Sequence, residues 1–380
     1  MKRMSDKVET AVVSGLRDVA VAESRISYPD PNGALYYVGY NIDDIVGRTD
    51  YEEVAYLLIH KQLPNMQELN KFKTELVSEM KLPQPVLKSI MTTSATCPPM
   101  DILRTEVSHL GEYDPEGRVF SEAANKRRAL RLIAQVPAIV AAIYRTRREE
   151  FVPVPRENFD LVQNFLYMLK GALPHASAVK VMHRLMMLHI DHGFNASTFA
   201  ARVTASTNSD MYSAVTSAIG TLKGPLHGGA SEKVMEMLDE VYFEGRVEEY
   251  IQGLLDNKKK IMGFGHRVYQ AQDPRTKHLR EIVEDFCHRE RSLGLYNRCM
   301  KIEQLVYEKK KIYPNVDFYA AVAMDALGVP KNFFPLFFAS ARISGWVAHV
   351  LEQYEDAVLL RPQGSYIGEF EKPFIPIEER

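Results

Sequence analysis

The residues of this sequence best suited to chemistry are two glycine-flanked histidines and one aspartate. The stretch from Lys258 to Arg275, KKKIMGFGHRVYQAQDPR, packs a basic run, two glycines, a histidine and two arginines into eighteen residues. Gly263 and Gly265 flank Phe264, a spacing that lets the backbone take positive φ and approach a ligand closely, and the turn then presents His266. Asp273-Pro274 marks a helix start, which places Arg275 in a first helical turn. Lys258, Lys259 and Lys260 form a cationic approach suited to phosphates, or the solvated end of a helix. In GPLHGGASE, His227 precedes two glycines and an amphipathic helix, so the imidazole falls at a helix N-terminus where the dipole disfavours its cation. Asp317 stands in YPNVDFY. A carboxylate base and neutral imidazole donors are what removal of a weakly acidic proton beside a carbonyl requires. Arg342 sits in an apolar run, and a buried arginine needs an anion, either a ligand or an internal Asp or Glu.

These groups need a scaffold. With 380 residues and 46% hydrophobic content, the chain can bury a large core and is expected to form two domains, since single cores stop growing near ~250 to 300 residues. A net charge of −2 argues against nucleic acid as a partner. Cys97, Cys287 and Cys299 lack metal-ligand spacing, which fits a reducing compartment with neither disulfide nor zinc. The N-terminal MKRMSDKVET has no apolar signal core, so a cytoplasmic protein is expected. Phe333 to Leu351 is the one segment resembling a membrane span. Arg342 at its centre, where a charge costs roughly 2.5 to 3.5 kcal/mol, favours a buried core helix and no membrane.

Along the chain, Ile26 to Tyr40 reads as a short β hairpin around a Pro-Asp-Pro-Asn-Gly turn. From Thr49 the pattern is helical, with a capping box expected at Thr49 and Glu52. Further helices are expected over Met100 to Gly111, Ser121 to Arg148, Asn164 to Lys170 and Val181 to Asp191. In the last of these Leu185, Leu188, His189 and His192 share one stripe, which is either a core face or a site. The segment from Asn195 to Leu222 is rich in small residues, as subunit-interface helices often are. Beyond Gly229 the chain is more charged, with helices over Glu232 to Tyr242, Val247 to Lys258, Thr276 to Arg289 and Asn297 to Lys311. The proline-bearing C-terminal twenty residues have no helical period and are expected to wrap over the larger domain or a neighbouring subunit. The fold class is all-α: a large helical domain (1–227 and 324–380) carrying the hairpin, and a smaller mobile helical domain (228–323).

Four segments carry a family likeness. GFGHRVY with DPR, GPLHGGASE (Gly224 to Glu232), YPNVDFY (Tyr313 to Tyr319) and PPMDILRTEVSHLG (Pro98 to Gly111) resemble, in order, motifs of the citrate synthase family in its shorter prokaryotic form. The likeness runs from about Gly15 to Pro362. It implies an acyltransferase that condenses acetyl-CoA with oxaloacetate at the entry to the tricarboxylic acid cycle, with no metal or cofactor. Asp317 would be the base, His227 would stabilise the thioester enol, and His266 would polarise the ketone. His192, Arg275 and Arg342 would hold the oxaloacetate carboxylates, with Arg361 reaching across from the other subunit of a homodimer. Ile261, Met262, Gly263, Phe264 and Gly265 would meet the CoA adenine, and Lys258, Lys259, Lys260 and Arg267 its phosphates. The chain departs from the family pattern at Gln270, where a basic residue is usual, at Gly193, where glutamate is common, and at Val38, where arginine is common. The alternatives are a 2-methylcitrate synthase using propionyl-CoA, a metalloprotein built on His189, His192, His227 and Asp317, and an inactive helical scaffold.

Overall fold

The structure, a computed structural model, describes residues 12–16, 19–241, 244–289 and 293–380. The N-terminal segment MKRMSDKVET and Tyr242, the expected end of one helix, lie outside the described residues. Three antiparallel strands come first: β1 (Ser27–Asp30), β2 (Ala34–Tyr37) and β3 (Tyr40–Asn41). Ser27 opposes Tyr37 and Asp30 opposes Ala34. Gly33, at φ 100°, donates its N–H to Asp30 O at 2.9 Å and closes the expected turn.

Helices follow: α1 (Ile42–Ile45), α2 (Tyr51–His60), α3 (Met66–Glu79), α4 (Gln84–Thr93), α5 (Pro99–Leu110), α6 (Glu122–Thr146), α7 (Leu161–Lys170), α8 (Ala176–His189), α9 (Ala196–Ala205), α10 (Met211–Leu222), α11 (Ala230–Glu240), α12 (Val247–Asp256), α13 (Pro274–Arg289), α14 (Leu293–Lys310), α15 (Val316–Ala326) and α16 (Phe334–Asp356). Their ends follow local chemistry. The capping box expected at Thr49 and Glu52 does not form, because Asp50 offers a carboxylate one residue later and accepts the Glu53 N–H at 2.9 Å. Thr49 Oγ1 bonds back to Ile45 O, and Glu52 turns inward, fully buried, to accept the Val162 N–H at 3.2 Å. A capping box of Asp160 and Gln163 starts α7 earlier than the expected Asn164. Helix α8 ends at His189 and not at Asp191, so His192 leaves the stripe it was expected to share.

Helix α16, buried along most of its length, packs on α2, α6, α8, α9 and α10. It and α6 are each long and apolar enough to cross a membrane, a property the sequence suggested for one segment alone, and both lie inside the fold. Phe338, Arg342, Gly345, Trp346 and His349 recur at spacings of three and four and so share one face of α16. That face reads the turn after α8. Arg342 Nε donates to His189 O at 2.6 Å, Trp346 Nε1 to Ser197 Oγ at 3.1 Å, and His349 Nε2 lies 3.1 Å from Asp191 Oδ2. Gly345 has to be bare, since a Cβ there would come within 2.3 Å of Ile190 O and 2.5 Å of Asp191 Oδ1. From the other side the hairpin buttresses the turn: the Ser27 hydroxyl donates to Asp191 Oδ2 and the Tyr37 hydroxyl to Met187 O at 3.1 Å.

Helices α11 to α15 pack mainly on one another, α13 against α14 and α15, α11 against α15, and α12 against α14. They meet the rest through α13 and α15 on α8 and α11 on α16, and one apolar core runs through both parts. Beyond α16, residues 357–380 are extended apart from one short turn, and exposed along nearly their whole length.

Candidate active site

The candidate base and one imidazole are fixed by the same few hydrogen bonds. Residues 263–265 run antiparallel to 313–315: the Gly265 N–H donates to Tyr313 O at 2.9 Å, the Asn315 N–H to Gly263 O at 2.8 Å, and Asn315 Nδ2 to Gly265 O at 2.9 Å. Gly263 and Gly265 both take φ 78°, as their spacing suggested. At Gly263 a Cβ would also press to 2.9 Å from the Phe318 and Val234 side chains. His266 follows one strand of this bridge, and Asp317 sits in the first turn of α15 just after the other.

His266 Nδ1 accepts the N–H groups of Val268 at 3.0 Å and Tyr269 at 3.1 Å, so the neutral ring carries its proton on Nε2. Burial, and then the Arg275 charge, pull its pKa down to about 4. His266 is therefore a neutral donor. His227, in the turn before α11, has Nε2 2.8 Å from Ser197 Oγ, and its pKa is also drawn to about 4. The neutral form was expected from a helix dipole, but the larger causes are burial and Arg342. Ser197 Oγ receives the Trp346 N–H and has two acceptors in reach, His227 Nε2 and Asn195 Oδ1 at 2.7 Å. When the hydroxyl donates to Nε2, the ring carries its own proton on Nδ1.

Asp317, half-buried, accepts the Ser231 hydroxyl at 2.7 Å. Desolvation raises its carboxyl above the usual range, against the opposing pull of Ser231 and Arg275. His192, in the turn beyond α8, lies 3.0 Å from Tyr269 Oη through Nε2, and its ring is 5.2 Å from that of His266. Burial, and then Arg275, hold it well below its ordinary pKa.

The two arginines differ. Arg275 is paired already, through Nε at 2.9 Å and Nη2 at 2.7 Å to Asp273, whose Oδ2 also accepts the Val316 N–H at 3.1 Å and ties this turn to α15. Arg342 is buried with its guanidinium 4.7 Å above the Phe338 ring, and burial draws its pKa down to about 10. Among the described residues no carboxylate lies within ion-pair distance of it. An unpaired buried cation between neutral imidazoles suits an anionic ligand.

Other expected residues fall elsewhere. His189 bonds Leu185 O at 2.8 Å and packs edge-on to Phe338 as a core side chain. The metal set His189, His192, His227 and Asp317 does not converge; among the described residues the group with metal-ligand spacing is Glu52, Asp160 and His183. Ile261 and Phe264 are buried and Met262 half-buried, which leaves the loop backbone to face a ligand. Lys258, Lys259 and Lys260 are exposed after α12. A second exposed run, Lys309 to Lys311, lies at the end of α14, with Lys309 Nζ 2.6 Å from Gln252 Oε1 of α12, one residue before YPNVDFY. Arg267 is exposed and donates to Gly15 O at 2.9 Å, and Arg361 is exposed on the segment after α16, outside the cluster. Tyr269, Asp273 and Ser231 lay inside the motifs already singled out, whereas Ser197 and Phe338 gave no signal beyond their spacing from Asn195 and Arg342.

The chain resembles known proteins along nearly its whole length. Residues 15–363 match the family model described as citrate synthase, C-terminal domain. The chain is 44% identical to citrate synthase 2 of Bacillus subtilis over 96% of this chain and 98% of that one. It is 38% identical to a 2-methylcitrate synthase of Shewanella oneidensis over 97% and 98%. Among solved structures, the ternary complex of citrate synthase from Thermoplasma acidophilum with carboxymethyl coenzyme A and oxaloacetate superposes with a TM-score of 0.91 at 31% identity, covering 97% of this chain and 100% of that one.

Thermal unfolding checks the unpaired cation. Arg342→Met removes a buried charge at similar volume, so the unliganded variant melts at or above the parent temperature. A C4 dicarboxylate raises the parent Tm by mass action and leaves that of the variant unchanged.

Proposed function

The chain belongs to the citrate synthase family, and from that membership we propose that it condenses acetyl-CoA with oxaloacetate and hydrolyses the resulting citryl-CoA to citrate and CoA, the entry reaction of the tricarboxylic acid cycle. It is an enzyme, an acyltransferase of the citrate synthase type. One observation carries the chemical reading: neutral His227 and a carboxyl of raised pKa, Asp317, feel the unpaired guanidinium of Arg342, and neutral His266 feels the charge of Arg275. Asp317 takes a proton from the thioester methyl while His227 donates to the carbonyl oxygen, where charge develops. The enol carbon attacks the ketone carbon of oxaloacetate, and the oxygen of that ketone takes a proton from His266 Nε2. Arg342, Arg275 and His192 hold the carboxylates, Arg275 with its geometry set by Asp273. Water returns a proton to His266 Nε2 as it adds to the thioester carbonyl, and CoA leaves as the thiol with the proton that Asp317 had taken. No metal or cofactor enters any step.

CoA lies along the backbone of residues 261–265 in this reading, with its phosphates near Lys258, Lys259, Lys260 and Arg267. Residues 228–323 form the smaller domain, which closes over residues 1–227 and 324–380 and excludes water. The exposed apolar tail, with Ile367 and Phe374 largely in solvent in the single chain, supports a homodimer in which the tail crosses to the other subunit and Arg361 completes its site. A cytoplasmic location belongs to the same reading. A 2-methylcitrate synthase is the alternative, favoured by relatives of that name at 38% identity; it uses the same residues with propionyl-CoA.

Initial rates of thiol release with oxaloacetate test the function. Faster release from acetyl-CoA supports a citrate synthase, faster release from propionyl-CoA moves the chain to 2-methylcitrate formation, and none from either sinks both. The acid limb of kcat/KM follows the ionisation of Asp317, which works as the carboxylate. The Ser231 hydroxyl favours that charged form, so Ser231→Ala moves the limb to higher pH, by about one to two units for a hydrogen bond to a charged group. Mixing distinguishes the dimer. Asp317→Asn and Arg361→Ala homodimers are each inactive, but their heterodimer regains one complete site, so a re-associated equal mixture recovers about a quarter of parent activity; a mixture as dead as its components refutes the shared site.

A further inference from the structure

Phe338 separates the site from a space that the proposed chemistry does not use. On the site side its ring centroid is 6.2 Å from that of His227, and the Arg342 guanidinium lies 4.7 Å over its face. Phe338 also lines a small apolar cavity, with Met182, Leu185 and Met186 of α8, Met324 of α15 and Ala341 of α16, that has about 10 Å³ open, room for roughly one water-sized group. A cavity so lined stays dry, and its walls forgo dispersion contacts that a filling carbon would restore. Three of the five residues named with Phe338 are methionines, unbranched side chains that adapt to irregular contents. His189, the one polar side chain on its wall, has its Nδ1 bonded to Leu185 O.

Now place the acyl group. Its α-carbon gives a proton to Asp317 while its carbonyl oxygen meets His227, so a further carbon on it extends among the neighbours of His227, of which Phe338 is one. Arg342 lies over one face of that ring, and the cavity that the ring lines offers it room to move. We propose that Phe338, backed by the methionine-lined cavity, sets the acyl length of this enzyme: an acetyl group fits with the ring where it stands, and a propionyl group fits by pressing the ring into the cavity. The chain then uses both thioesters, acetyl-CoA the better. This rests on the function proposed above.

The readout is the ratio of kcat/KM for propionyl-CoA to that for acetyl-CoA, in which any loss of folded protein cancels. Phe338→Leu removes the wall and raises the ratio about tenfold or more, the scale on which one methylene is discriminated in an apolar pocket. Met324→Phe adds about one carbon of volume behind the ring and lowers the ratio by a similar factor while acetyl-CoA turnover persists. A ratio within about twofold of the parent in both variants overturns the proposal and leaves the parent function standing. A parent protein inert with both thioesters overturns the function itself, and this inference with it.

Discussion

The contact on which the structure most depends is the seating of one face of α16 on the turn that links α8 to α9. Bare Gly345 lets the helix backbone come against Ile190 and Asp191. Only at that distance can Arg342, Trp346 and His349 reach the His189 carbonyl, the Ser197 hydroxyl and the Asp191 carboxylate. A guanidinium with no carboxylate beside it is an expensive thing to bury. It is tolerated because α16 is packed among other helices, whose apolar burial far exceeds the cost of one poorly solvated charge. The same turn carries His192, so the position of the cation and that of one of its expected partners in ligand binding are a single packing decision.

The electrostatics of the site follow from this placement. Arg342 and Arg275 contribute the positive potential that, with burial, keeps His192, His227 and His266 neutral. That potential also moderates the rise in the Asp317 pKa. A neutral imidazole still offers one N–H to a developing oxyanion, and a carboxylate of raised pKa is a stronger base than one free in water. Two arginines thus serve three histidines and an aspartate. A dianion between the arginines would offset part of their field and strengthen the base further, so oxo-acid binding and base strength are coupled through charge alone.

Residues whose roles depend on neighbours in sequence were legible before the fold was known. His266 behind its paired glycines, Arg275 after Asp-Pro and His227 before a glycine pair are set by φ angles and turns within a few residues, and the structure keeps each of these local forms. The all-helical class with one hairpin was legible for the same reason. Less so was anything decided by contact at long range. Periodicity placed His189 and His192 on one stripe, but α8 stops at His189 because the chain must turn to meet α16, and the two rings part company. Thr49 and Glu52 matched a capping box, yet a buried slot beside Val162 took Glu52 instead. Ser197 and Phe338 gain much of their meaning from residues far along the chain, Trp346 and His227. Arg361 stands outside the single chain's cluster altogether.

The departures from the family pattern show how far the hairpin has become part of the site. Gly193 takes φ 55°, and a Cβ there would lie 3.2 Å from Pro29 Cδ. Its N–H donates to Ser27 Oγ at 2.8 Å, while the Ser27 hydroxyl in turn donates to Asp191. A glutamate at this position would have to give up the left-handed backbone, the contact with Pro29, or both. Val38, with φ 48°, shares a two-residue turn with Gly39 at φ 84°, a geometry that suits the twist of the strands it joins but strains a β-branched side chain. Gln270, exposed, gives its N–H to Pro31 O at 3.0 Å at the tip of the same hairpin. All three positions therefore touch or lie within the hairpin, and two of them link it to segments that carry His192 and His266. These positions bear on how the hairpin grips the segments carrying His192 and His266, and none of them touches the proposed catalytic groups His227 and Asp317.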